Sequence, residues 1–269
     1  MILGLSFLLI AITSATLAQD AVSGSSGPNG FNGTAHFSST HKYAPLPVVT
    51  KAPYSAEQIT ERVQTLADGS HITQQSLPTK LSRDSYGRVR TEYRLFGAIN
   101  SPKHNPDAPF IIEITDPVAN VKYTFDSIDK IAHRQQLPLT PQAVNSQAVS
   151  PGTTPQPPPD PSRPQWKRDP LPDQIIEGLT AQGTRTTMTQ PAGWRGNDQP
   201  LSTISENWWS PELQIEVLSK NTDPRFGERT QKLINISRAE PSPELFEPPS
   251  GFTIVEEAGD FAIKWGTDQ

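Results

Sequence analysis

The chain has 269 residues, a formal net charge of −5 and no cysteine. The absence of cysteine excludes disulfides, Cys-ligated metals and lipid attachment through a thiol. The small, scattered negative charge excludes the concentrated basic footprint of a nucleic-acid binder. Twenty-eight prolines are about twice ordinary usage, and their placement divides the chain.

Residues 1–18 read as a signal peptide. Met1 to Ile12 is apolar and uncharged, and Thr16-Leu17-Ala18 places small residues where a signal peptidase cuts. The run is shorter than the ~20 residues that span a bilayer, so no transmembrane segment is expected after cleavage. The expected destination is the periplasm or the exterior. Residues 19–53 are rich in Ser, Gly, Thr and Pro and read as a flexible, disordered leader. His36 and His41 lie there without a third ligand nearby, so no metal site and no cofactor are expected.

The first structured block, 54–136, alternates apolar and polar residues between turn signals. Ile59 and Val63 precede Asp68-Gly69, a hairpin signal of the type in which both central residues take positive φ. The return arm ends near Pro78, which marks an edge or a bulge. Asp84-Ser-Tyr-Gly87 makes the next reversal. Val89 and Tyr93 then oppose Arg88, Arg90, Glu92 and Arg94, a mixed-charge outer face. Phe110 to Thr115 forms a strand stopped by Asp116-Pro117, and Val121, Tyr123 and Phe125 alternate in the next. His133 stands on a strand with no nucleophile or second histidine at a useful spacing, so it is not expected to act as a catalytic base.

Residues 137–172 carry eleven prolines and are expected to be an extended or disordered insertion, with Gln165-Trp-Lys-Arg as its one adhesive point. The second block, 173–256, resumes with a Thr-rich strand, a turn that presents Trp194, and a strand ending at Trp208-Trp209. Leu213, Ile215 and Val217 alternate beyond it. Asp223-Pro-Arg-Phe-Gly227 turns the chain back into Ile234 and Ile236. Ser242-Pro-Glu-Leu-Phe246 suits a single helical turn. Phe252 and Ile254, with Phe261, Ile263 and Trp265, suit a short closing element, and residues 257–269 are otherwise left as a C-terminal tail.

The blocks hold 83 and 84 residues with hardly any helical period. They predict a mainly β domain of about ten strands in a curved antiparallel meander, either a half-barrel or a sandwich. Asp116-Pro-Val-Ala-Asn, Gly178-Leu-Thr-Ala-Gln-Gly, Glu206-Asn-Trp-Trp-Ser-Pro-Glu-Leu, Asp223-Pro-Arg-Phe-Gly and Glu240-Pro-Ser-Pro-Glu-Leu-Phe resemble an uncharacterised family of exported bacterial β-rich proteins. More distantly, the layout is similar to the outer-membrane lipoprotein carriers and related sigma-factor regulators. That resemblance implies a half-barrel whose concave face binds acyl chains, although this chain lacks the carriers' amphipathic N-terminal helix.

No Gly-x-Ser-x-Gly, His-Glu-x-x-His or nucleotide-binding glycine loop is present, so the expectation is a protein without catalytic residues. The candidate ligand-binding residues are Trp194, Trp208 and Trp209. Trp208 and Trp209 are adjacent on a strand and point to opposite faces, so only one of them can line a given surface. The expected partners are a lipid or other apolar ligand, or a second envelope protein. A hydrolase without a recognisable motif is the remaining alternative.

Overall fold

The computed structural model describes residues 21–27, 30–37, 48–94, 110–137 and 160–265. The expected signal peptide lies outside them. The strands are β1 (Ala21–Gly27), β2 (Gly30–Phe37), β3 (Tyr54–Thr65), β4 (His71–Gln75), β5 (Thr79–Arg83), β6 (Val89–Arg94), β7 (Phe110–Asp116), β8 (Val121–Asp126) and β9 (Ile131–Gln136). After them come β10 (Gln165–Ile176), β11 (Leu179–Gln190), β12 (Leu201–Ser210), β13 (Ile215–Asp223), β14 (Gly227–Ser237), β15 (Thr253–Glu256) and β16 (Phe261–Trp265). There is no α-helix among the described residues. Ser242 starts a 3-10 turn, Pro243–Phe246, without a side-chain capping bond.

Thirteen strands make one open sheet in the order β10-β11-β12-β13-β14-β3-β5-β6-β7-β8-β9-β15, with β4 beside the far end of β3. Every pair is antiparallel except β15 on β9. The two blocks therefore form one sheet, joined where β14 pairs with β3. Strand β3 is long enough to serve β5 with its first half and β4 with its second. Pro78 sits where those two partners part, as a residue without an N–H requires. Ser76 mends the gap: its Oγ accepts from the Thr60 N–H at 3.0 Å, and its own N–H donates to the Thr60 carbonyl at 2.8 Å.

Aspartates build the reversals. Asp84 Oδ1 accepts from the N–H groups of Tyr86 and Arg88, and Gly87 turns at φ +86°. Asp116, Asp126 and Asp223 accept from backbone N–H groups two residues on in the same way. At Asp68-Gly69 only the glycine has positive φ, and Leu66 N–H to Ser70 O closes a longer loop than the expected two-residue turn. A two-residue turn with both φ positive joins β10 to β11 instead, at Glu177-Gly178.

Strands also form in three places where composition suggested unpaired chain. In the expected leader, β1 and β2 make a three-stranded sheet with β16 from the expected tail. Ala35, Phe37 and Ile263 of this small sheet bury against Tyr93 and Ile111. On the other side of β7, Phe246 is buried with Ile112, Ile114, Phe125 and Ala132, and Phe252 packs beside them. Neighbouring residues on a strand point to opposite faces, so β7 is covered on both sides by the chain itself. Third, β10 begins at Gln165, inside the expected insertion. Its prolines 170 and 172 are tolerated because β10 is the edge of the sheet and its register shifts between Leu171 and Gln174. A further core gathers Leu179, Ala181, Trp208, Leu213, Val217, Leu233, Tyr54 and Ala56.

Register also sets two rows of cofacial residues across the β11–β14 and β3 region, because direct cross-strand partners share a face. One row runs Thr184, Asn207, Ser219, Gln231, Thr60. The next runs Thr186, Ser205, Asn221, Arg229, Arg62, Gln74. Neither row contains an apolar side chain.

A candidate ligand-binding cleft at the edge of the sheet

Pairing between β10 and β11 sets Trp166 directly opposite Met188. Gln190 is the last residue of β11 and lies two positions beyond Met188, on the same face. Pro191 then begins a tight turn. Gly193 N–H donates to Asn197 O at 2.6 Å, and the Asn197 amide donates to the carbonyls of Pro191 and Gln199. Gly193 and Gly196, at φ +80° and +79°, let the turn close. This frame presents Trp194 and Arg195 beside Met188. On the opposite wall, Asp160 Oδ1 accepts from the N–H and hydroxyl of Ser162, ordering the approach to Arg163 and Pro164. Those bonds, the hydroxyl's first, hold the Asp160 carboxyl below the ordinary range.

The result is an open cleft of about 750 Å³ lined by residues 162–164, Trp166, Met188, Gln190, Trp194 and Arg195. That volume falls within the usual range for small-molecule sites, roughly 300–1,000 Å³. Trp166 is 68% exposed and Trp194 47%, although each indole would gain by burial. Arg163 makes a long 3.4 Å pair with Asp160, and Arg195 makes no ion pair among the described residues. Gln190 is buried, and its Oε1 accepts no hydrogen bond from the described residues. A buried acceptor left open costs about 1–3 kcal/mol, so an incoming N–H or O–H donor would be favoured here. Apolar walls, guanidinium groups and one open acceptor equip the cleft for holding a ligand.

Of the three tryptophans expected to bind ligand, Trp194 lines this cleft. Trp208 is packed in the core, with its Nε1 lacking a partner among the described residues. Trp209 is half-buried toward the far end of β12, opposite Gln182 and Glu216. Trp166, Met188 and Gln190 were not anticipated as binding residues. The only prior signal was a tryptophan interrupting a proline-rich run, and nothing local showed that it would pair opposite Met188. Among the described residues no three His, Asp or Glu side chains gather to hold a metal ion. No helix among them is long and apolar enough to cross a membrane.

No family model matches the chain. No curated protein matches it either. Solved structures do align with it, at low scores. An uncharacterised conserved protein from Thermus thermophilus aligns over 77% of this chain and 91% of its own, at 8% identity and a TM-score of 0.38. The MucA/MucB complex of Pseudomonas aeruginosa aligns over 77% and 59%, at 11% identity and a TM-score of 0.36. A LolA superfamily protein from Nitrosomonas europaea aligns over 77% and 94%, at 8% identity and a TM-score of 0.27. The expected likeness to the carriers and regulators is thus met as a distant alignment. At such identities and scores it says nothing about the cleft.

Proposed function

We propose that this chain is an exported, non-catalytic binding protein whose ligand is an anionic amphiphile, a lipid or another apolar molecule with an acidic head, held in the Trp166–Trp194 cleft. One observation carries the reading. Two exposed indoles flank Met188, while Arg195 has no ion-pair partner among the described residues and the buried Gln190 Oε1 is open. The apolar part of the ligand would lie against the indoles and the thioether, and the acid would meet Arg195 and Arg163. The apolar side chains on both faces of β7 are taken by the chain's own segments, so they are not offered to an acyl chain. Export rests on the apolar N-terminal segment.

The test is native mass spectrometry of protein purified from the cell envelope, followed by titration with short-chain phosphatidylglycerol monitored by tryptophan fluorescence. Trp166→Ala and Trp194→Ala should each weaken binding by roughly 10–100-fold, the loss expected for an aromatic wall worth about 1.5–3 kcal/mol. Arg195→Gln should weaken the acidic lipid and spare its zwitterionic analogue. Equal affinity in all three variants would refute the cleft. Co-purification of a defined protein in place of lipid would favour an interaction module instead.

A further inference from the structure

Arg62 and Arg229 are direct cross-strand partners on β3 and β14. Like charges set directly opposite one another destabilise a sheet, yet neither guanidinium has an acidic partner among the described residues. Arg229 donates to Gln231 Oε1, at 3.3 Å. Burial, and then the Arg62 charge, hold the Arg229 guanidinium below its ordinary pKa. Around this pair the two rows carry hydroxyl and amide groups, from Ser219 and Asn221 through Gln231 to Gln74, and Asp223 follows Asn221 on the same face. Arg168 ends the same row, opposite Thr186. It stands four strand spacings from Arg229, about 19 Å. Two carboxylates meet this face and both are engaged: Glu216 accepts from the Asn207 amide, and Asp223 accepts from Thr203 and Arg225.

We propose that this polar face is a second binding surface, for an extended acidic glycan whose carboxylate, sulfate or phosphate groups bridge Arg62 and Arg229. The chemistry selects that class. Guanidinium groups side by side take an oxyanion bidentately, and the anion removes their mutual repulsion. Hydroxyl and amide side chains both donate and accept, which matches sugar hydroxyls that do the same. The rows offer no apolar pocket for peptide side chains. The backbone edges of β11 to β14 and β3 are already paired, so an extended peptide could not add itself as a strand there. None of these residues lines the cleft, which lies farther along the same face beyond Arg168 and Thr186, so the two surfaces bind through different side chains.

The experiment titrates the full-length chain with polygalacturonate, with dextran as the neutral glycan and poly-glutamate as the acidic peptide, at low and moderate salt. Binding is expected for polygalacturonate and to weaken as salt rises. The double variant R62Q/R229Q should lose at least tenfold in affinity while keeping its thermal midpoint, because the substitution relieves a repulsion rather than opening a core. Ser219→Ala with Asn221→Ala should weaken polygalacturonate and leave any poly-glutamate binding unchanged. Trp166→Ala and Trp194→Ala should leave polygalacturonate binding intact, which separates this surface from the cleft. Unchanged affinity in R62Q/R229Q, equal binding of poly-glutamate, or no binding of polygalacturonate would each overturn the proposal.

Discussion

A single added methyl group at Gly183 tests how tightly the edge hairpin is seated on the core. An ideal Cβ there would stand 2.7 Å from Leu171 Cβ, 2.8 Å from Trp208 Nε1 and 3.1 Å from the Pro172 carbonyl oxygen. Each contact is shorter than the ~3.5–4.0 Å at which carbon atoms attract. The Trp208 ring is packed in the core and has little room to withdraw. The strand carrying Leu171 and Pro172 is the sheet's edge and would have to move instead. Overpacking of this kind costs about 1–3 kcal/mol. We expect Gly183→Ala to cost about 2 kcal/mol, which lowers the thermal midpoint by about 4–8 °C for a domain of this size. Urea unfolding followed by tryptophan fluorescence is the assay, and its slope should stay unchanged while its midpoint falls. Gly259→Ala is the control. No described atom lies within 4 Å of where its methyl group would stand, and its φ is not positive, so stability should hold or rise by about 0.4–1 kcal/mol. Wild-type stability in Gly183→Ala would refute the reasoning, because it would mean that β10 yields freely and does not hold Trp166 in place.

Three further outcomes follow from buried and half-buried polar groups. Arg83 is buried without a carboxylate, forks onto the Ala52 carbonyl at 3.0 and 2.8 Å, also donates to the Leu213 carbonyl, and lies over the Tyr54 ring at 4.9 Å. Arg83→Lys cannot reproduce that fork and should cost about 2–3 kcal/mol in urea unfolding. Asp223 has its pKa lowered to about 2, chiefly by the Arg225 side chain, with backbone and Thr203 bonds adding to it. A carboxyl depressed in the folded state stabilises above its unfolded value and loses that contribution as pH falls through the folded one. Acid unfolding of Asp223→Asn, followed by circular dichroism, should therefore be less steep between about pH 4 and pH 2 than in the wild type. Glu216 is shifted the other way, since burial raises its carboxyl despite the Asn207 and Ser219 bonds. The folded state then holds its proton more tightly than the unfolded one, so this group favours folding more as pH falls through its raised value. Glu216→Gln should match or exceed wild-type stability at pH 7 in urea unfolding and should remove that part of the pH dependence.

The β class, the strand positions and most reversals were legible because each depends on a few neighbouring residues. Alternation at Val121, Tyr123 and Phe125 and the Asp223-to-Gly227 hairpin needed no knowledge of distant chain. Strand β2 was not legible, and β16 was legible only as part of a short closing element, not as a partner of β2. What they pair with depends on distant chain, because Ala35, Phe37 and Ile263 are buried together against Tyr93 and Ile111. Trp194 was visible as the tip of a turn, whereas Trp166 reached the cleft through its pairing opposite Met188. Trp208 and Trp209 looked equivalent along the chain, and packing against Gly183 made the first a core residue.

Residue order alone therefore determined that this chain alternates, where it reverses, and that it builds sheet rather than helix, since those properties follow from dihedral preference and side-chain period. Tertiary structure decided which strands became neighbours. That choice brought two arginines side by side, closed both faces of β7, and left a cleft open at the edge. A strand's pattern says which of its side chains share a side, but what they face depends on the register with a partner far away in the chain.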